Sequence, residues 1–279
     1  MPPAHFPFAV RWARGYNSGM KQFSLRWTFS LVVVFFLGGC AVVPETGRRQ
    51  LVLISPGQEA TLGLQSFTDT KTKVPTSRDA RANDLLQRVG KRIAAVANLP
   101  GAQWEFVLFE SAEANAFCLP GGKVGVYSGL LPVTKDEAGL ATVIGHEVAH
   151  AVARHGAERM SEAMVISAGG NILNAGLAGA DPRLQAATQL AYGLGSKVGR
   201  ELPHSRAQES EADHIGLLYL ARAGYEPGAA VDFWQRFAAY NATHSNGGTP
   251  EFLRTHPLDE VRIQQIRDWL PEARTQLKR

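Results

Sequence analysis

The sequence predicts an α+β fold, mainly α, in which a small β-sheet lies beside one motif-bearing helix. Apolar residues recur at three- and four-residue spacing over several segments, the signature of amphipathic helices. Two short β-rich runs, residues 104–109 and 123–127, stand together and are bounded by turn residues. Directly after them, Val143-Ile144-Gly145-His146-Glu147-Val148-Ala149-His150-Ala151-Val152 sets H-E-x-x-H on an apolar, proline-free background.

With 279 residues, 45% hydrophobic and 19% charged, the composition is globular and allows one sizeable domain. The formal charge of +4 is local. Residues 1–39 carry Arg11, Arg14, Lys21 and Arg26 and no acid; removing those four from 29 leaves 25 basic against 25 acidic side chains. The rest of the chain is neutral, which argues against a nucleic-acid partner.

Residues 27–37 form an apolar run after Lys21 and Arg26, ending in Leu37-Gly38-Gly39-Cys40. This is the shape of a secretory signal, with Met20 as its start. Its end resembles the bacterial lipobox, which implies a lipid on Cys40 and a membrane tether. An uncleaved anchor is the alternative, but the run is short for a bilayer span. Ala41 after the cysteine resembles the sorting rule for outer-membrane lipoproteins. The expected location is therefore the cell envelope, on the periplasmic face of the outer membrane. Cys118 then has no disulfide partner and reads as a packed thiol.

The elements follow in order. Arg48-Arg49 sits in a solvated turn, and residues 50–54 read as a short strand. Ser55-Pro56 opens a helix to about Phe67, and residues 68–78 form a polar loop. Residues 78–97 are an amphipathic helix through Leu85, Leu86, Val89, Ile93 and Val96. Asn115-Ala116-Phe117 and the Pro120-Gly121-Gly122 turn separate the two strands. The second strand is expected to present an open edge that holds an extended peptide by main-chain hydrogen bonds. Asn115, Ala116, Lys123, Val124, Gly125 and Val126 make up that substrate edge. Thr134 with Glu137 reads as a capping box for the motif helix, Asp136 adds negative charge, and the helix runs to about Met160. The uncharged stretch 163–180 reads as a loop or a buried helix near the site. Asp181-Pro182 restarts a helix through Tyr192, followed by a linker over 193–203. Helices over 204–223, 230–240 and 258–270 complete the chain, with a polar loop over 241–250.

On a helix, His146 and His150 share a face and can hold one metal ion. Glu147, about 100° round the axis, can reach a metal-bound water without taking a ligand position. That division of labour suits a zinc hydrolase. A third histidine six residues after His150 would fall at Gly156, so H-E-x-x-H-x-x-G-x-x-H fails. A glutamate two dozen residues on would fall in the acid-free stretch 163–180. Further along, Gln208-Glu209-Ser210-Glu211-Ala212-Asp213 offers Glu209 and Asp213 on one helical face. One can bind metal while the other orients a histidine; Glu211 points elsewhere.

H-E-x-x-H-A-x-x-R-H (His146 to His155) is thus followed by E-x-E-A-D (Glu209 to Asp213). With Asn115-Ala116-Phe117, Pro120-Gly121-Gly122, His256-Pro257 and Arg262, and loosely Thr46-Gly47-Arg48-Arg49, the pattern resembles the gluzincin zinc metallopeptidases. That family includes HtpX, the CAAX prenyl endopeptidases, LoiP and BepA. The likeness spans about residues 40–270. It implies a zincin-like domain with one Zn2+ per chain on His146, His150 and Glu209, and Glu147 as general base. Asp213 would support the site, and Arg262 would brace the region of His256. His256 itself would stabilise the oxyanion or approach the metal as a gate. His155, His204, His214 and His244 read as structural or surface groups, with His155 close enough to pack near the site. The chain then divides into a leader (1–39), a lipid-anchored segment (40–56) and a metallopeptidase domain (57–279). The implied function is a periplasmic zinc endopeptidase for misfolded or stalled envelope proteins, with outer-membrane assembly machinery as partner. The alternative is a zinc-binding lipoprotein chaperone or assembly factor with a latent active site.

Overall fold

A computed structural model describes residues 40–197, 202–244, 250–257 and 260–277. The expected leader, parts of the expected loops over 193–203 and 241–250, and Leu258 lie outside the described residues. Two short strands, β1 (Cys40–Val42) and β2 (Arg49–Leu51), form a ribbon. The turn between them is not simply solvated, because Arg48 pairs with Glu158 and Glu211 at 2.7 Å each.

Helix α1 (Pro56–Lys73) starts at a capping box in which Ser55 and Gln58 exchange side-chain and backbone hydrogen bonds. It passes the expected end at Phe67 and stops shortly before Pro75, whose ring disfavours helix at the residue preceding it. Helix α2 (Ala80–Ala94) is capped by Asp79 and buries Leu86, Val89 and Ile93 on one face.

Strands β3 (Glu105–Phe109), β4 (Ala116–Leu119) and β5 (Lys123–Tyr127) form one sheet in the order β3-β5-β4. β5 runs parallel to β3 and antiparallel to β4. This corrects the expected substrate edge: Lys123, Val124, Gly125 and Val126 belong to the central strand, hydrogen-bonded on both sides, and the last three are buried. The open edge on the side of the motif helix is β4.

A short helix α3 (Leu131–Thr134) ends at Lys135, which adopts φ 70°. The motif helix α4 (Glu137–Val152) then begins, with Asp136 as its cap; the Asp136 carboxylate accepts from Gly139 N at 2.8 Å. Thr134 is therefore not the capping residue, and its hydroxyl donates to Leu131 O instead. α4 stops at Val152 rather than near Met160. Arg154 turns left-handed (φ 59°), and a separate helix α5 (His155–Gly176) follows. α5 and α6 (Pro182–Ser196) make a hairpin tied by Tyr192 Oη to Ile166 O at 2.8 Å. The uncharged stretch 163–180 is thus helix as far as Gly176 and turn after it, but it is not buried: Met164, Val165 and Ile172 are exposed.

Every residue of α4 from Gly139 to Val152 is buried. The helix is wrapped by α2, the sheet, α7 (Leu202–Arg222) and α8 (Gly228–His244). Trp234, Phe233 and Phe237 of α8 and Phe252 of α9 (Glu251–Thr255) form an aromatic layer behind the motif. Helix α10 (Glu260–Thr275) closes against α7 and α8. Ala41–Arg279 forms one compact unit, and among the described residues no helix is long and apolar enough to cross a membrane.

Candidate metal centre

The helical repeat of α4 stacks His146 and His150 on one side, and that of α7 does the same for Glu209 and Asp213. The two helices meet at Gly145 and Gly216. A Cβ on Gly216 would stand 2.9 Å from His146 N, and one on Gly145 would stand 3.1 Å from Gly216 O. Two missing side chains let the ligand-bearing backbones approach.

Four donors converge there. His146 Nε2 lies 3.2 Å from His150 Nε2, 3.3 Å from His256 Nδ1 and 3.4 Å from Glu209 Oε2. Glu209 reaches His150 Nε2 at 3.4 Å and His256 Nδ1 at 3.0 Å. A tetrahedron with bonds of about 2.0–2.1 Å has edges of roughly 3.3 Å, so the donor set fits one zinc ion in both chemistry and spacing. His256, which caps the C-terminal end of α9, is the fourth donor.

The surroundings fix the ligands. Asp213 Oδ1 lies 3.0 Å from His146 Nδ1, the ring nitrogen turned away from the cluster. Arg262 grips Asp213 through two hydrogen bonds of 2.8 and 2.9 Å, donates to Pro257 O at 2.6 Å and stacks over Trp234. Burial alone would raise the Asp213 carboxyl; Arg262 and His146 outweigh it and hold it below its ordinary range. Burial would lower His146, but the Asp213 and Glu209 carboxylates beside its two ring nitrogens push it up to about 9. Glu209, also buried, is held well below the carboxylate range by His146 and His256. Burial keeps His150 well below the ordinary imidazole value.

Glu147 is buried, and burial raises its carboxyl. Its Oε1 has no hydrogen-bond partner among the described residues, with His256 Nε2 standing 3.5 Å away. It borders a cleft of about 490 Å³ that His150, His256, Asn115 and β4 also line. Cys118 lies on the same wall; burial pushes its thiol up, away from nucleophilic use.

The structure thus brings His146, Glu147, His150, Glu209, Asp213, His256 and Arg262 together, with Asn115 and Ala116 on the cleft wall. Sequence reasoning missed the Gly145–Gly216 contact and the roles of Arg154 and Glu211. The R-H pair ending the motif was the available signal for the turn at Arg154. His214 is not one of the clustered donors; its ring lies 2.9 Å from Glu272. The side chains of His204 and His244 lie outside the described residues.

Four zinc-type donors and a buried carboxylate with one oxygen free of hydrogen bonds among the described residues, set beside a cleft walled by an edge strand, define a metallopeptidase. Comparison with known proteins places it within that class. The profile of Peptidase family M48 matches residues 80–270, and the chain belongs to that family. It is 35% identical, over 95% of its length, to mitochondrial metalloendopeptidase OMA1 of Schizosaccharomyces pombe, covering 77% of that protein. To the Saccharomyces cerevisiae protein of the same name it is 38% identical over 92% of its length, covering 79%. The β-barrel assembly-enhancing protease of Escherichia coli K12 is 29% identical over 86% of the chain, which covers 50% of it. The protein is a zinc-dependent metalloendopeptidase. The relatives overturn the expected location. Those with 35% and 38% identity are mitochondrial, so the bacterial outer-membrane placement is withdrawn. Cys40, the expected lipid site, is exposed in β1.

Proposed function

We propose that the protein cleaves extended segments of unfolded or incompletely assembled polypeptides, laid along the open edge of β4. The observation that carries this is Glu147, which lines the cleft whose wall is β4 beside the donor cluster and whose Oε1 has no hydrogen-bond partner among the described residues. A strand edge binds main chain with few side-chain demands, and only a chain free of its own structure can offer that main chain. Zinc, when bound, supplies Lewis-acid polarisation of the scissile carbonyl and of the attacking water. Glu147 takes the proton of that water and passes it to the leaving amine. Its desolvated site strengthens it as a base. Asp213, backed by Arg262, holds His146 in the orientation that presents Nε2.

His256 completes a four-donor set, whereas a catalytic zinc site keeps one position open. We read this arrangement as a resting state that His256 must leave before cleavage. The same observation favours the second reading, a zinc-binding chaperone or assembly factor with a latent site. Zinc content and casein cleavage, measured on wild type and Glu147→Gln, separate the two. Zinc in both with cleavage in wild type alone supports the peptidase. Zinc in both without cleavage, unrelieved by His256→Ala, supports the chaperone.

A further inference from the structure

We propose that His155 and Glu211, closed off by Thr46 and Arg48 of the N-terminal segment, act as positioning residues that fix the metal ligand His150. This deepens the zinc reading and rests on it. His150 presents Nε2 to the donor cluster, so with that lone pair engaged its proton sits on Nδ1. His150 Nδ1 lies 2.8 Å from His155 Nδ1. Two nitrogens at that distance need one donor and one acceptor. His155 must therefore accept at Nδ1 and carry its own proton on Nε2, which lies 2.9 Å from Glu211 Oε2. Glu211 in turn accepts from Arg48 Nε at 2.7 Å and from the Thr46 hydroxyl. Arg48 is anchored by Glu158 at 2.7 and 2.8 Å. One proton arrangement satisfies the whole line, and it is the one that leaves His150 Nε2 free for a metal.

The placement is specific. Residues five apart on a continuous helix stand about 140° apart, so His155 would not face His150 had α4 continued. The left-handed Arg154 turns the chain back on itself. That conformation is disfavoured for arginine by about 1–2 kcal/mol and needs outside support. Glu59 and the Ile54 carbonyl supply it through the guanidinium. Gln50 Nε2 adds a bond to Ala153 O at 2.8 Å. His155 is fully buried, a position that an apolar side chain would fill if packing were the only demand. Thr46, Arg48 and Gln50 all precede residues 80–270, the part matched by the family profile. A segment outside that match therefore helps build the metal site.

The test uses the full chain, with zinc affinity measured by chelator competition and the visible spectrum of the cobalt-loaded protein as second readout. Glu211→Gln and His155→Asn are each expected to weaken zinc binding by about 10- to 100-fold and to shift the cobalt bands. Arg48→Met and Thr46→Val act in the same direction, less strongly. Because the residues act in series, Glu211→Gln should add little once His155→Asn is present. If His155→Asn does not fold, the same cycle between Thr46→Val and Glu211→Gln replaces it. Unchanged affinity and spectrum in Glu211→Gln, or losses that simply add, would overturn the proposal. A wild type without zinc would overturn the metal reading and this one with it.

Discussion

Gly145 and Gly216 face each other where α4 crosses α7, and nothing but backbone separates the two helices there. That contact sets the distance between His146 and Glu209. A methyl group at 216 would meet His146 N at 2.9 Å, and a main-chain atom cannot rotate away. Alanine gains about 1 kcal/mol of helix propensity over glycine. Overpacking a close backbone contact costs about 1–3 kcal/mol. The second effect wins. Gly216→Ala is expected to lower the melting temperature of the apo protein and to weaken zinc binding. Gly145→Ala, with 3.1 Å of room, is expected to do less. A higher melting temperature for Gly216→Ala would show that the helices have room to part.

Glu147→Gln keeps the shape of the side chain and removes its basicity. Glu147 stands beside the donor set without belonging to it, so zinc stoichiometry should be unchanged. Loss of a general base costs typically 10²–10⁴-fold. A kcat reduced by at least about 100-fold, with KM little altered, is the expected result. Retained activity would show that another group takes the proton.

On the proposed reading, His256 occupies the position that a substrate oxygen or water needs. His256→Ala leaves His146, His150 and Glu209, a three-ligand set of the catalytic kind. Zinc binding should weaken, and basal casein cleavage should rise above wild type. A fall in cleavage at unchanged zinc affinity would instead assign His256 to the oxyanion.

Part of the site was legible because its spacing is local; the choice of Glu209 over Asp213 as ligand, and the places of His256 and Arg262, came only from the family resemblance. H-E-x-x-H and Glu209 with Asp213 both use the four-residue repeat of a helix, which fixes a shared face before any tertiary contact is known. Strand order was not, because which strand lies in the middle is decided by long-range pairing. Val124-Gly125-Val126 showed only that both faces of this strand are covered, which leaves its place in the strand order open. The helix break at Arg154 had only the R-H pair at the end of the motif to mark it, because the left-handed arginine is held by Glu59, 95 residues away. Thr134 and Asp136 are both good caps, and the positive φ of Lys135 between them ends α3 and leaves Asp136 to start α4. Residues 163–180 misled because uncharged, apolar composition usually means burial, whereas here they lie on the surface.

Glu137 opens α4 and ties it to its neighbours. It accepts from Arg88 at 3.0 Å, Arg92 at 3.1 Å and the Tyr225 hydroxyl at 2.7 Å. Partial burial alone would raise its carboxyl; Tyr225 and Arg88 outweigh that and hold it below the ordinary value of 4.5. Its charge also faces the positive end of the helix dipole. A depressed folded value means that the stabilisation is present above the unfolded value and is lost as pH falls through the folded one. Glu137→Gln should therefore cost about 1 kcal/mol at neutral pH, read as a lower urea midpoint at unchanged slope. The difference should close below about pH 4, as the wild-type carboxylate takes up its proton. A gap that stays the same from pH 7 to about pH 3 would mean that packing, rather than charge, anchors the start of the motif helix.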